Sequence, residues 1–370
     1  MGAEHSIDVV CPELEPGTIE DPGLLDMVSE SCTVHRTPLP AWWRRLKGRS
    51  KGLSAPSGRY IFMPDSRSWW IDKAFALSKK ISSRPDVIIA TSPPFSVAMA
   101  GMKAARHFNV PLVLDMRDSF LNDPNTGHLP EPHRRWREHL FFKVMRSTSA
   151  IVTVNPIVQQ EMKIHARHRI PTATIPNGYD VLDVEQRSTD NIHITLTGRF
   201  FRNLNDPSPL LDAMAMDKIL TATFIGPSEG LIEEKALELG ISQRVVVTGA
   251  RTYSQVREIL AHSDMHFFFM DQRHDNNNKL PSKLWDFLST GLPVVACASP
   301  LSTIFQVSPD RVIQSERSPD VILAAIHRAA TPQKTVSQKS DLWSCRADSY
   351  ARILDKIIRN QNTNPKKNFL

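Results

Sequence analysis

The fold is decided by one stretch near the end of the chain, Asn278-Lys-Leu-Pro-Ser-Lys-Leu-Trp-Asp-Phe-Leu-Ser-Thr-Gly-Leu-Pro-Val-Val-Ala-Cys-Ala298. Pro281 suits the first turn of a helix, where its missing N–H costs nothing. Leu284, Phe287 and Leu288 recur at helical spacing and make one apolar face. The Gly-Leu-Pro that follows stops the helix, and the apolar run after it is typical of a strand covered on both faces. The stretch therefore predicts a loop, a short helix and a buried parallel strand.

The polar side of this predicted helix carries Ser282, Lys283 and Asp286. The N-terminus of a helix attracts phosphate groups, and Lys283 adds a positive charge there. Asp286 lies one turn further on, where its carboxylate can accept hydrogen bonds from a pair of sugar hydroxyls. These residues indicate a site for a phosphate and a sugar.

The pattern resembles the donor-sugar site of family-4-type glycosyltransferases, which are retaining enzymes of the GT-B fold. In that family two Glu residues, separated by seven others, precede a Gly-x-Pro turn and a Val-Val strand. Their positions correspond here to Asn278 and Asp286. The resemblance implies that Asp286 binds the nucleotide ribose and that Asn278 stands where the transferred sugar is held. One branch of the family matches Pro281–Phe287 more closely, which adds Ser282, Lys283 and Leu284 to the implied donor site.

Length and composition favour two soluble domains. The chain has 370 residues, of which 41% are hydrophobic and 23% charged, and this length is large for a single core. No apolar run approaches the roughly 18 residues of a membrane-spanning helix, and the first ten residues lack the pattern of a secretory signal. A cytoplasmic protein is expected.

The charge balance points to anionic partners. The net charge is +6 and the isoelectric point about 9.2, which suits a nucleoside diphosphate, a lipid pyrophosphate or an anionic membrane surface. No nucleic-acid-binding motif is present. The four cysteines are far apart and are expected to be free thiols. The 13 histidines are scattered, so no metal site and no cofactor are predicted.

Two motifs in the first half follow predicted strands of a parallel βαβ unit. Ser92-Pro93-Pro ends one strand and Asp115-Met-Arg117-Asp118 ends the next. Ligands of such sheets bind beyond the carboxyl ends of the strands. Both motifs resemble those of a subgroup of the same glycosyltransferases, which implies that Ser92, Pro93 and Asp115 lie on the acceptor side and that Arg117 and Asp118 serve catalysis. The alternative is that Arg117 and Asp118 form an ion pair that braces the loop.

The N-terminal region differs from the resembling family. Ile7–Cys11 is predicted to be a strand, and in that family it corresponds to the second strand. The first strand and its Gly-rich loop are therefore expected to be missing. This leaves open a truncated, non-catalytic GT-B protein that binds a nucleotide or a partner. A GT-B sugar-nucleotide epimerase is a third, less favoured reading, because its carboxylates and His cannot be placed. Residues 12–40 are predicted to be one long connection.

A short basic segment is a candidate membrane contact. Trp42 and Trp43 precede five basic residues, and Trp with Lys or Arg favours an anionic bilayer surface. The alternative is a solvated loop with the Trp side chains folded inward. The basic residues are Arg44, Arg45, Lys47, Arg49 and Lys51.

The second half repeats a strand–helix rhythm, which predicts a doubly wound sheet. Gly198-Arg199 ends its first strand. The resemblance implies that these two residues bind the donor diphosphate and that Arg202 replaces the family's Lys. The alternative for Arg199 is an ordinary exposed arginine.

The predicted architecture is α/β: a GT-B protein with two doubly wound, Rossmann-like domains and a cleft between them. Residues 1–178 are expected to bind the acceptor, and residues 179–340 the nucleotide-sugar. Residues 341–360 form a helix that crosses back to the first domain, and residues 361–370 a disordered tail. The implied activity is retaining, metal-independent transfer of a sugar to a glycan or lipid-linked acceptor in cell-surface polysaccharide biosynthesis, in the cytoplasm or at the inner membrane face.

Overall fold

The computed structural model describes residues 5–15, 18, 20–43, 62–122, 129–184, 190–201, 205–270, 279–307, 310–330 and 339–363. The chain forms two compact units. Unit 1 comprises Met1–Thr18, Val28–Pro176 and Ser344–Leu370, and unit 2 comprises Ile19–Met27 and Asn177–Trp343.

Strands and helices alternate along most of the chain. The strands are β1 (Ile7–Pro12), β2 (Cys32–Thr37), β3 (Ile88–Ser92), β4 (Leu112–Met116), β5 (Ala150–Thr153), β6 (Thr172–Thr174), β7 (Ile192–Thr197), β8 (Leu220–Ile225), β9 (Val245–Gly249), β10 (Met265–Phe269), β11 (Val294–Cys297) and β12 (Val312–Ser315).

The helices are α1 (Pro22–Asp26), α2 (Ile71–Ser78), α3 (Phe95–Phe108), α4 (Glu131–Met145), α5 (Pro156–His165), α6 (Ser208–Met216), α7 (Leu231–Glu238), α8 (Tyr253–Ala261), α9 (Lys283–Ser289), α10 (Thr303–Val307), α11 (Pro319–Ala330) and α12 (Trp343–Thr363).

Unit 2 contains a parallel six-stranded sheet in the order β12-β11-β10-β7-β8-β9. Successive side chains of a strand point to opposite sides of the sheet. The central strands carry apolar side chains at successive positions, so both faces of the sheet are apolar there. Phe267 and Phe269 pack into one core with α6 and α11, whereas Phe268 packs into a second core with α9. The run after Gly291 is thus covered on both faces, and the predicted doubly wound α/β fold is confirmed for this unit.

Unit 1 contains a parallel four-stranded sheet in the order β3-β4-β5-β6. One face packs against α3, α4 and α5. On the other face Val113 and Val152 pack against Leu354 and neighbouring side chains of α12. Strands β1 and β2 pair in parallel as a separate two-stranded sheet.

The prediction of one long connection over residues 12–40 is wrong, because this segment contains α1 and β2. Strand β2 is hard to recognise because its residues are mostly polar, Cys-Thr-Val-His-Arg-Thr. Its pairing with β1 places His35 beside Asp8, with 2.7 Å between Nε2 and Oδ1. The short strands β6 and β12 also escaped prediction.

The two Trp residues of the basic segment differ. Trp43 is buried and its Nε1 donates a hydrogen bond of 3.0 Å to Oε1 of Glu15. Trp42 is exposed and stacks on Phe62. The inward-folded alternative therefore holds for Trp43. The five basic residues after it, and residues 364–370 of the predicted tail, lie outside the described residues.

Candidate functional site

Lys283 opens α9 and reaches the end of β7. Its Nζ donates a hydrogen bond of 3.1 Å to the carbonyl oxygen of Thr197, the last residue of that strand. The same Nζ lies 5.3 Å from the centroid of the Phe268 ring, a cation–π distance. Burial disfavours the charged ammonium and lowers the pKa of Lys283 to about 8. The side chain thus keeps its proton at neutral pH, at the carboxyl edge of the sheet.

Two glycines allow the loops after β7 and β8 to approach each other. Gly198 has a φ of 145° and Gly226 a φ of 132°, both in the region that favours glycine. A Cβ on Gly226 would lie 1.8 Å from the carbonyl oxygen of Gly198, and a Cβ on Gly198 would lie 3.4 Å from Nζ of Lys283. The structure therefore brings Gly198 close to Lys283, and it leaves no room for a side chain on Gly226 beside the Gly198 carbonyl.

Asp286 lies one turn along α9 from Lys283. It accepts a hydrogen bond from the Tyr253 hydroxyl, at 3.4 Å to Oδ1. Burial raises the pKa of Asp286 to about 6, while the hydrogen bond from Tyr253 and the charge of Arg257 act in the opposite direction. The carboxylate is therefore mainly ionised at pH 7, with a neutral hydroxyl as its hydrogen-bond donor.

The other residues predicted for the donor site differ in their exposure to solvent. Ser282 and Arg199 are exposed. Leu284 is fully buried in the apolar core behind α9, so its side chain contributes packing and only its backbone could meet a ligand. Arg202 and Asn278 lie outside the described residues.

In unit 1 the predicted acceptor-side residues meet at the ends of β3 and β4. The backbone N–H of Arg117 donates a hydrogen bond of 2.7 Å to the carbonyl of Ser92, the last residue of β3, immediately before Pro93. Nη1 of Arg117 lies 3.6 Å from Oδ2 of Asp115. Burial raises the pKa of Asp115, although the charge of Arg117 and a hydrogen bond from Thr91 oppose the shift. Asp118 follows in the same loop and is exposed.

Sequence reasoning missed residues that come from distant elements. Tyr253 and Arg257, on α8, face Asp286. Tyr350, on α12, lies within electrostatic range of Asp115 and Arg117. Its pKa is raised, mainly by burial and to a smaller extent by the charge of Asp115. The Tyr350 hydroxyl is buried and meets no hydrogen-bond partner among the described residues. In the sequence, Tyr350 falls on the predicted apolar face of the last helix, and this pattern does not predict that it lies near Asp115 and Arg117.

Asp65 supports the loop that carries Ser92 and Pro93. Its Oδ2 accepts a hydrogen bond of 2.8 Å from the backbone N–H of Ser96, in the first turn of α3. Its Oδ1 accepts one of the same length from the N–H of Arg67. A carboxylate at this place satisfies an N–H that the helix leaves unpaired, so the turn after β3 is held from a remote part of the chain.

No three His, Cys, Asp or Glu side chains of the described residues are grouped as metal ligands would be. The chain's described helices also include none that is long and apolar enough to cross a membrane.

The structure has the features expected of a GT-B protein. It contains two α/β units with parallel sheets, and charged residues lie at the carboxyl ends of their strands. Residues 1–178 match the family described as the glycosyl transferase 4-like domain. Residues 1–178 are thus similar to a glycosyl transferase 4-like domain, and the predicted resemblance to family-4-type glycosyltransferases is confirmed. No curated protein matches the chain in sequence.

Solved structures confirm the predicted GT-B fold. Sucrose-phosphate synthase from Thermosynechococcus elongatus is 15% identical, with 96% of this chain and 90% of that chain covered and a TM-score of 0.64. Anabaena Alr3699/HepE, in complex with UDP and glucose, is 16% identical, with 98% and 100% covered and a TM-score of 0.56. Staphylococcus aureus MnaA bound to UDP is 12% identical, with 98% of both chains covered and a TM-score of 0.55.

Proposed function

We propose that this protein transfers a sugar from a nucleoside diphosphate sugar to an acceptor, with retention at the anomeric carbon and without a metal ion. The observation that carries the proposal is the Lys283 ammonium held against the end of β7 beside Gly198. A cation and a glycine backbone at the carboxyl edge of a parallel sheet suit a diphosphate. The complexes of HepE and MnaA contain UDP, so UDP-sugars are the first donors to test.

The chemistry follows from where charge develops. As the bond between sugar and diphosphate breaks, negative charge grows on the leaving oxygens. Lys283 would stabilise this charge as a fixed cation, and the exposed guanidinium of Arg199 would add a planar pair of donors. Asp286 would hold the ribose through its two acceptor oxygens. This set of residues supplies the charge stabilisation that a metal ion supplies elsewhere.

The acceptor is proposed to meet unit 1 near Ser92, Pro93, Arg117 and Asp118, where two strands end. A glycan or a lipid-linked glycan is the proposed acceptor class, in cell-surface polysaccharide synthesis on the cytoplasmic side of the membrane. The basis is the resemblance of these strand-end motifs together with the basic character of the chain. The role of Asn278 in holding the transferred sugar remains part of this proposal.

Calorimetry with UDP, GDP and TDP, each with and without a chelator, tests the donor site. We expect one nucleotide to bind with an affinity that the chelator leaves unchanged. Transfer is then measured with the matching sugar nucleotides, and the anomeric configuration of the product is read by NMR. Absence of binding to all three nucleotides, or strict dependence on metal, contradicts the proposal.

A second candidate is a GT-B protein that binds nucleotide without turnover. The observation in its favour is the division of unit 1, because β1 and β2 form no pairing with β3–β6 in the described part of the chain. This candidate gains support if calorimetry shows tight nucleotide binding while no sugar nucleotide is hydrolysed or transferred. Measured transfer excludes it.

A further inference from the structure

The outer face of α4 combines basic and aromatic side chains. Buried residues, among them Leu140, Phe141 and Val144, occupy the opposite side and pack into the core of unit 1. On the outer side Trp136 is 52% exposed and Phe142 38% exposed. An isolated exposed apolar residue is ordinary, but two aromatic residues on one charged helix need an explanation.

Helical spacing fixes how these side chains are arranged. At 100° per residue, Trp136 and Phe142 lie on the two flanks of the outer face, and Arg135, His139 and Arg146 lie between them. Of the four Lys and Arg residues of α4, Arg137 is buried on the opposite side. Of the others, Arg134 and Arg135 are paired with Glu131. The outer face therefore has aromatic side chains on its flanks and basic side chains between them, one of which, Arg135, is paired with Glu131.

The end of α5 extends the same surface. The rings of Phe142 and His165 are 6.1 Å apart, so the last turn of α5 lies beside α4. Ile164 in that turn is 59% exposed, and Arg167 and Arg169 follow it with exposed side chains. The combined α4–α5 surface is defined by Arg135, Trp136, Phe142, Arg146, Ile164 and Arg167.

We propose that the α4–α5 surface lies on an anionic lipid bilayer. Trp and Phe side chains are favoured at the boundary between headgroups and acyl chains. Lys and Arg near an anionic leaflet strengthen attachment about 5-fold each. The arginines would also attract single-stranded RNA, but the aliphatic side chain of Ile164 cannot stack on a base. A bilayer can accommodate both the apolar and the cationic side chains. None of the residues that define this surface belongs to the basic segment of residues 44–51.

Three variants of the full-length protein test this surface by sedimentation with vesicles. The charge variant is Arg135→Gln, Arg146→Gln and Arg167→Gln, and the apolar variant is Trp136→Ser, Phe142→Ser and Ile164→Ser. The matched control replaces exposed lysines elsewhere, Lys80→Gln, Lys218→Gln and Lys356→Gln.

The wild type should sediment with vesicles of phosphatidylcholine and phosphatidylglycerol in equal amounts, but not with phosphatidylcholine alone. Loss of three charges should weaken binding by roughly 100-fold. The apolar variant should weaken it at least about 10-fold, and the control variant should bind like the wild type. Hydrogen exchange should show protection at residues 131–146 and 163–169 on addition of the mixed vesicles.

Circular dichroism and thermal unfolding verify that each variant is folded. The proposal is overturned if the wild type ignores anionic vesicles, if the folded charge and apolar variants bind as the wild type does, or if protection falls on residues 44–51 instead. Tighter binding to an RNA oligonucleotide than to vesicles, unchanged in the apolar variant, overturns it as well. UDP binding, measured by calorimetry on the same variants, depends on unit 2, so failure of the proposed donor site is a separate result.

Discussion

The charged groups at the carboxyl ends of the strands are arranged differently in the two units. In unit 2 the Lys283 cation donates to a neutral carbonyl and the Asp286 carboxylate accepts from a neutral hydroxyl. In unit 1 the charges of Arg117 and Asp115 face each other at 3.6 Å. Burial lowers the pKa of Lys283 and raises that of Asp286, and it also raises the pKa of Asp115 in unit 1, where Arg117 opposes the shift. A buried cation that donates to a neutral carbonyl favours an anionic ligand, and the Asp286 carboxylate, whose charge Arg257 compensates only in part, favours a hydroxyl-rich one.

This comparison implies that unit 2 leaves the charge of Lys283 to be compensated by a ligand, whereas in unit 1 Arg117 compensates part of the charge of Asp115. Substitutions in unit 2 should therefore act on ligand binding more than on stability. Substitutions in unit 1 should act on stability first.

The largest effect is expected for Lys283→Met. Methionine keeps an unbranched apolar side chain, one atom shorter than that of lysine, but it removes the cation proposed to meet the diphosphate. Hydrogen bonds to charged groups contribute about 1.5–3 kcal/mol, and the Coulomb attraction adds to this, so UDP affinity should fall by roughly 100-fold or more. Calorimetry measures it, with exposed Lys218→Met as the matched control. Equal UDP affinity in the two variants would show that Lys283 does not contribute to nucleotide binding.

Asp286→Asn should weaken UDP binding by about 10- to 100-fold, because one strong acceptor oxygen of the carboxylate is replaced by a donor. The wild-type affinity should also fall as the pH drops through about 6, since the folded-state pKa of Asp286 lies there. The Asn variant should lack that part of the pH dependence. Titrations at pH 7.5 and pH 5 with both proteins decide this, and parallel pH curves would contradict the assignment.

The same substitution should have the opposite effect on stability. Burial raises the folded-state pKa of Asp286 to about 6, well above the usual value of an aspartate. The ionised carboxylate therefore destabilises the folded state above pH 6, and this cost vanishes below about pH 4. Without nucleotide, Asp286→Asn should raise Tm by about 4 °C at pH 7.5 and leave it unchanged at pH 4. The exposed neighbour Glu258→Gln is the control. A lower Tm at pH 7.5 would show that Asp286 is structural.

Much of this site could be predicted from local sequence. The spacing of Leu284, Phe287 and Leu288 fixed the orientation of α9, and so placed Lys283 at its start. The approach of Gly198 to Lys283 was implied by the family resemblance, which assigned both residues to the donor site. Tyr253 and Tyr350 could not be predicted, because their positions depend on the packing of α8 and α12 and not on local spacing.

The pair in unit 1 should show a smaller effect, and it should appear in stability. Arg117→Gln removes the cation that opposes the raised pKa of Asp115, so the buried carboxylate loses its compensation. Since Arg117 is partly exposed, the loss should be about 1 kcal/mol, a fall of about 3 °C in Tm. Nucleotide affinity should stay unchanged. A loss of UDP binding without a change in Tm would contradict the expectation that substitutions in unit 1 act on stability and not on nucleotide binding.

The smallest effect is expected for Tyr350→Phe. The hydroxyl is buried, finds no hydrogen-bond partner among the residues described, and lies near the pair formed by Asp115 and Arg117. Removing a buried group that makes no hydrogen bond relieves its desolvation cost, so Tm should stay equal or rise by about 2 °C. If unit 1 compensates its own charges, sugar transfer should change by less than about 3-fold. A loss of transfer above tenfold at unchanged Tm would mean that the Tyr350 hydroxyl contacts the substrate, which would then supply the hydrogen-bond partner that the described residues do not provide.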